Sequence, residues 1–281
     1  MRDMVEFAVP TAKPCVQMRR RKWTAVGDGQ MRNFIFAAEP QPEDPEALLQ
    51  SIRNRITDHL TQLHNYTCHV VIDRVMQTIS TGRFDQRDTA QLDVAFVDNK
   101  ELFSRPGAAR FEEQSINQLV PLGMIGNDIL GSHNESVFSG GAAKFSFAGR
   151  CKKDGHKAVR YNFNVAQADS QLLVKLVNSG DAVVGYHGSI WADAETLDMV
   201  RLEWKTDHIP SSVGLSSVGK TMRYEKVHLG HSDFWLPLRS ELSSTDNSGH
   251  YRLNVVRLEK CLEYTGESVV TFGKAVEPPK N

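Results

Sequence analysis

The segment Gly214-Leu215-Ser216-Ser217-Val218-Gly219-Lys220-Thr221 carries the letters of a phosphate-binding loop. In such a loop backbone amides cradle phosphate oxygens, while Lys and Thr reach the phosphate and a magnesium ion. That chemistry needs a buried strand before the loop and a helix after it. Here Asp207-His208-Ile209-Pro210-Ser211-Ser212 precedes and the strand-like Met222-Arg223-Tyr224-Glu225 follows, so the segment reads as a glycine-containing interstrand loop. His228 and His231 flank a turn that also holds Asp233, and imidazole with carboxylate at that spacing can ligate zinc or iron. No H-E-x-x-H and no third ligand tied by spacing accompany them, so they read as surface turn residues. Cys68 and His69 are adjacent in a strand and point to opposite faces, which excludes a thiol–imidazole nucleophile from that pair. Ser189 lies mid-strand, without the sharp exposed turn of a nucleophile elbow. Asp193 and Glu195 are close enough to pair as carboxylates, but a hairpin tip should leave both solvated and unperturbed. No catalytic residue, metal ligand or cofactor is assigned.

Composition narrows the partners. With 281 residues, 40% hydrophobic and 24% charged, the chain is long and apolar enough to bury a substantial core. A formal net charge of −1 gives no global field that would draw it to nucleic acid or an anionic membrane, so any such partner must use a local patch. No run reaches the roughly 20 apolar residues of a transmembrane helix. Arg19, Arg20, Arg21 and Lys22 resemble the start of an export signal, but the apolar run that follows, Phe34 to Ala38, is too short for one. They read as a solvated basic tail, with an altered export signal as the alternative. The cysteines Cys15, Cys68, Cys151 and Cys261 lack zinc-site spacing. One disulfide among Cys68, Cys151 and Cys261 is open to an exported protein, with the pairing undetermined.

The elements that would position any site follow from periodicity. Residues 1–43 show no sustained period and are expected to form an arm, with a single domain over 44–272 and a tail over 273–281. Asp44-Pro45 starts a helix whose apolar stripe is Leu49, Ile52, Ile56, Leu60 and Leu63. From Tyr66 the period changes to two: Val70, Ile72 and Met76 lie on one face, and Leu92, Val94 and Phe96 repeat the pattern. Glu112 to Ser139 breaks it with Pro121, Gly123, Gly126 and Gly131, which suits one or two short helices or a lid-like loop. Beyond Gly141, Phe145 and Phe147 face Tyr161 and Phe163 across the turn at Lys152-Lys153-Asp154-Gly155. Alternating runs then recur at Leu172–Val177, Val184–Ala192, Leu197–Lys205, Thr221–Leu229, Phe234–Leu242 and Tyr251–Glu263. The fold class is mainly β (α+β): a large curved antiparallel sheet of roughly nine or ten strands, with one long and one or two short helices on its concave face. So little helix cannot fill so large a curled sheet, and a partly filled apolar trough results.

The hairpin from Gly188 to Glu203, with Asp193, Glu195 and Thr196 at its turn, is the most informative stretch. With Tyr224, Val227, Gly230 and Phe234-Trp235-Leu236-Pro237-Leu238-Arg239-Ser240-Glu241 it resembles bacterial envelope proteins related to the periplasmic lipoprotein carriers (LolA-like). The resemblance spans roughly residues 45–264 and implies an unclosed half-barrel with helices in its mouth. It also implies a periplasmic or otherwise exported location and non-enzymatic binding of a lipid or acyl chain. On that reading Phe145, Phe147, Tyr161, Phe163, Ile190 and Leu236 are expected to form the cavity wall. The alternative is a protein-interaction or sensor module of the envelope, with a solidly packed sheet and another envelope protein as partner.

Overall fold

A computed structural model describes residues 44–264 apart from 64, 78–81, 98–99, 109, 112–115, 120–136, 139–140 and 177–178. The expectations for residues 1–43, for the tail, and for most of the lid-like segment lie outside the described residues.

Helix α1 (Pro45–Gln62) begins as the sequence dictates. The Asp44 carboxylate accepts from the Glu46 and Ala47 amides at 2.9 and 3.1 Å, and Pro45 occupies a position that needs no amide. Its stripe buries Leu49, Ile52 and Ile56. Ten strands form one sheet: β1 (Tyr66–Gln77), β2 (Phe84–Val97), β3 (Lys100–Ser104), β4 (Lys144–Lys153), β5 (His156–Val165), β8 (Tyr186–Asp193), β9 (Met199–Thr206), β10 (Leu215–Leu229), β11 (Ser232–Asp246) and β12 (Tyr251–Glu263). The spatial order is β3-β2-β1-β12-β11-β10-β9-β8-β5-β4, every pair is antiparallel, and the edge strands β3 and β4 do not meet. The sheet is therefore not closed into a barrel. Lys144, Arg150, Lys152 and Lys153 on edge strand β4 oppose pairing with a further strand.

Three expectations need correction. The run at Leu172–Val177 does not join the large sheet: β6 (Leu173–Lys175) pairs only with β7 (Asp181–Val183) as a separate ribbon. In β1 the buried residue is Val75 and Met76 is only half-buried: β1 keeps its alternation, and Val75 lies on the face opposite Ile72, in a small separate cluster with Leu253 and Val255 of β12. The phosphate-loop letters are not a loop. Gly214 ends a 3-10 turn with φ 80°, and Leu215 to Thr221 are extended in β10. Lys220, 7% exposed, stands between Val218 and Met222 on the buried face of the sheet, so no turn of amides exists to cradle a phosphate.

The apolar face holds two clusters. One joins α1 to β5, β8, β9 and β10; the other gathers Tyr66, Val70, Ile72, Val94 and Phe96 with Phe234, Leu236 and Val256. The sheet halves meet only where β1 pairs with β12 (Val70 with Leu258, Ile72 with Val256), and a disulfide between Cys68 and Cys261 fastens that pair. No described cysteine is free. The bridge closes a loop with a sequence separation of 193, so its removal should be felt mainly through the unfolded chain. Cys68→Ser with Cys261→Ser is expected to lower the unfolding free energy by about 3–5 kcal/mol, measured by urea titration under non-reducing conditions.

Candidate functional site

Under the C-terminal half of α1 lies a hollow of about 60 Å³. Ile56, Leu60 and Leu63 form its roof, and Phe96, Tyr224 and Leu236 belong to its floor. Phe96 of β2 and Met199 of β9 both line it although five strand steps separate them, roughly 24 Å in a flat sheet. Only a strongly curled sheet brings them to one hollow. Its volume falls short of the ~150 Å³ that admits a benzene ring, and further short of the ~300–1,000 Å³ of a small-molecule pocket. Beside the hollow, the described part of the apolar face is occupied by buried side chains of the two clusters.

Of the expected wall residues, Leu236 lines the hollow. Tyr161, Phe163 and Ile190 are buried in the first cluster, with Phe145 and Phe147 packed half-buried against it. Phe138, Phe145, Phe163, Tyr186 and Trp204 form a continuous ladder of rings with centroids 5.8–6.1 Å apart. Phe163 crosses β8 at Gly188, where a Cβ would sit 2.7 Å from its ring. Phe147 meets Tyr161 edge-on at 5.3 Å, and the Tyr161 hydroxyl donates to the Pro45 carbonyl at 2.7 Å, tying β5 to the start of α1. Burial pushes the Tyr161 phenol up to about 12, so it stays a donor throughout the physiological range.

The polar rim of the hollow was not singled out by sequence. Asp198, just after the β8–β9 turn, has a side chain 4% exposed. It accepts from Arg55 Nε at 2.7 Å and is 2.8 Å from His59 Nε2, both on α1. Burial alone would raise its pKa; hydrogen bonds from Arg55, Thr196 and His59 outweigh that and hold the carboxyl below its ordinary value. An acidic residue beside a hairpin turn reads as solvated, and only the helix lying over the turn makes it a tether. The hint in the sequence is weak: Arg55 and His59 fall four apart, on one face of α1.

The remaining sequence candidates form no site. Asp193 is not unperturbed as expected. Burial would raise it, yet the Glu195 and Thr196 amides and His156 hold it below its ordinary pKa, while Glu195 points outward to Lys157 at 3.4 Å. His228 pairs with Asp233 at 2.9 Å, and among the described residues no group of three or more His, Cys, Asp or Glu could hold a metal. His69 pairs with Asp93 at 2.9 Å while Cys68 is in its disulfide. Ser189 is held by Arg160 and donates to Asn162 at 2.9 Å within the sheet.

No family model matches the chain, and no curated protein matches it. Among solved structures it is similar to a LolA superfamily protein from Nitrosomonas europaea, at 12% identity and a TM-score of 0.39 over 78% of this chain and 94% of that one. A DUF1329 family protein from Desulfovibrio piger aligns at 10% identity and a TM-score of 0.42, over 79% and 94%. An outer membrane lipoprotein-sorting protein domain from Vibrio parahaemolyticus aligns at 9% and 0.41, over 78% and 95%. No described helix is long and apolar enough to cross a membrane.

The tether has a pH signature. A carboxyl whose pKa is lower in the folded state stabilises fully above its unfolded value and loses that contribution as pH falls through the folded one. Asp198→Asn should therefore cost about 2–3 kcal/mol at pH 7, where charge-assisted bonds to Arg55 and His59 are lost. The gap from wild type should hold down to about pH 5 and close below about pH 4, read from urea midpoints across that range.

Proposed function

We propose that the protein binds the acyl chain of a lipid or acylated ligand, without converting it, in the apolar trough beneath α1. The observation that carries this reading is the position of the hollow. It lies where the one long described helix bridges the two apolar clusters, with a polar rim on one side and Leu60, Leu63, Phe96 and Leu236 within. An acyl chain needs more than the 60 Å³ present, so binding requires α1 to swing outward about its start, where Tyr161 holds the Pro45 carbonyl. The Asp198 contacts with Arg55 and His59 are the polar part of what must yield. The ligand then replaces helix side chains against the same floor, and apolar contact alone supplies the affinity. The Cys68–Cys261 disulfide supports an exported setting, because such bonds persist in oxidising compartments.

A second reading is favoured by the ring ladder from Phe138 to Trp204, which fills the neighbouring part of the trough with side chains. On that reading the sheet is a solid platform and the ligand is another envelope protein. Chain-length dependence separates the two. At about 0.8 kcal/mol per methylene, affinity for a series of fluorescent fatty acids should rise about fourfold per added carbon until the trough is full. Leu60→Glu should lower it at least tenfold without changing the far-UV spectrum. No measurable binding, or an affinity indifferent to chain length, would leave the solid platform as the reading.

A further inference from the structure

The strands that bury the trough carry a different pattern on their convex face. Cross-strand register sets Arg160 opposite Trp191, Trp191 opposite Arg201, Arg201 opposite Arg223, Arg223 opposite Arg239 and Arg239 opposite Arg257. The row crosses β5, β8, β9, β10, β11 and β12 in turn, about 24 Å at ~4.8 Å per strand. From Arg201 to Arg257 no neutral residue intervenes. Like charges directly opposite one another repel, so such a row persists only if its charges are compensated.

Compensation is present at every arginine but one. Arg201 binds Asp154 at 3.0 Å and also Glu203. Arg239 lies 3.4 Å from Glu241, and Arg257 lies 2.5 Å from Asp73. Arg160 donates to Ser189 at 2.9 Å and stacks over Trp191 at 5.2 Å. Arg223, in the middle of the run, has no ion pair, ring contact or hydrogen bond among the described residues, and its Nε is buried without an acceptor. The neighbouring strands show what is missing. Arg201 and Arg239 each pair with the glutamate two residues on, and the equivalent of that glutamate in β10 is Glu225. A register shift between Arg223 and Glu225 places Glu225 opposite Leu236, a residue of the buried core, and so takes it out of reach.

We infer that Arg223, flanked by Arg201 and Arg239, forms a binding site for a phosphate group on the convex face of the sheet. A guanidinium fork matches the oxygens of phosphate or carboxylate. Phosphate fits better, because its oxygens diverge and can engage Arg223 and Arg239 together, whereas a carboxylate in one plane satisfies a single fork. The Arg239 contacts to Glu241, both 3.4 Å, are long enough to be exchanged for stronger ones. Asp154, Glu203, Glu241 and Asp73 nearly neutralise the rest of the row, which suits one small anion in place of an extended polyanion. The site faces away from the trough and does not rest on acyl binding.

The test is thermal unfolding of the full chain with inorganic phosphate against acetate at equal ionic strength. Phosphate at ten times its Kd should raise the midpoint by about 3–6 °C, acetate should not, and Arg223→Gln should abolish the response. Without phosphate, Arg223→Gln should unfold at or above the wild-type midpoint, since it relieves like-charge repulsion. Lys157→Gln, on an exposed pair elsewhere, should respond as wild type does. Sedimentation with phosphatidylcholine vesicles, with and without phosphatidic acid, then distinguishes the source. Capture only with phosphatidic acid assigns the phosphate to a lipid headgroup, and a phosphate response without capture assigns it to a free phosphate or phosphate ester. The inference is overturned if phosphate protects no better than acetate, if Arg223→Gln keeps the response, or if that variant is less stable than wild type in phosphate-free buffer.

Discussion

The pairing of β1 with β12 is the contact on which the remaining architecture depends. Every other neighbouring pair in the large sheet joins strands that are close in chain order, and those pairs alone would give two separate pieces: β1 to β3, and β4 to β12 without the small ribbon. Joining them costs the closure of a long loop, and the reward arrives only when the apolar faces of both pieces become one surface. That union lets α1, which immediately precedes β1, reach across to β5 and β8. The disulfide lies within the same pair, so the covalent bond reinforces the contact with the largest entropic cost.

Local signals were legible in the sequence, and signals that depend on register were not. Asp44 and Pro45 begin α1 because capping is decided within four residues. The β4–β5 and β8–β9 hairpins follow from alternation and turn residues. Val75 is buried where Met76 is not because Leu253 and Val255 of β12 cover it on the opposite face, and nothing in the residues from Asp73 to Gln77 announces those partners. The run at Leu172–Val177 has strand propensity, but propensity does not say which sheet a strand joins. The site was legible in part. The apolar character of Leu236 was plain, while Asp198 became a tether only through a helix that lies more than a hundred residues earlier in the chain.

A buried carboxylate under a helix is a conditional attachment. Apolar contacts of Leu49, Ile52 and Ile56 hold α1 without hydrogen-bond directionality. The bonds from Arg55 and His59 to Asp198 are directional, and with the Tyr161 bond to Pro45 they fix the two ends of the helix at separate points of the sheet. Losing the Asp198 end leaves a hinge at the Tyr161 end. On the proposed reading a helix fastened this way serves as a lid over the trough, whereas a helix held by packing alone would be part of the floor.

One register shift connects the two faces of the sheet. In a strand of period two, an inserted residue moves every later side chain to the other face. Across the shift after Arg223 the apolar residues of β10 change from Met222 and Tyr224 to Val227 and Leu229, which join the second apolar cluster, while Phe234, Leu236 and Leu238 of β11 keep an unbroken alternation. The same shift carries Glu225 away from Arg223 and leaves that guanidinium without a carboxylate. Regular alternation through β10 would give Arg223 its glutamate and take Val227 and Leu229 from the core. The uncompensated charge outside and the entry of Val227 and Leu229 into the core are therefore two consequences of a single backbone irregularity.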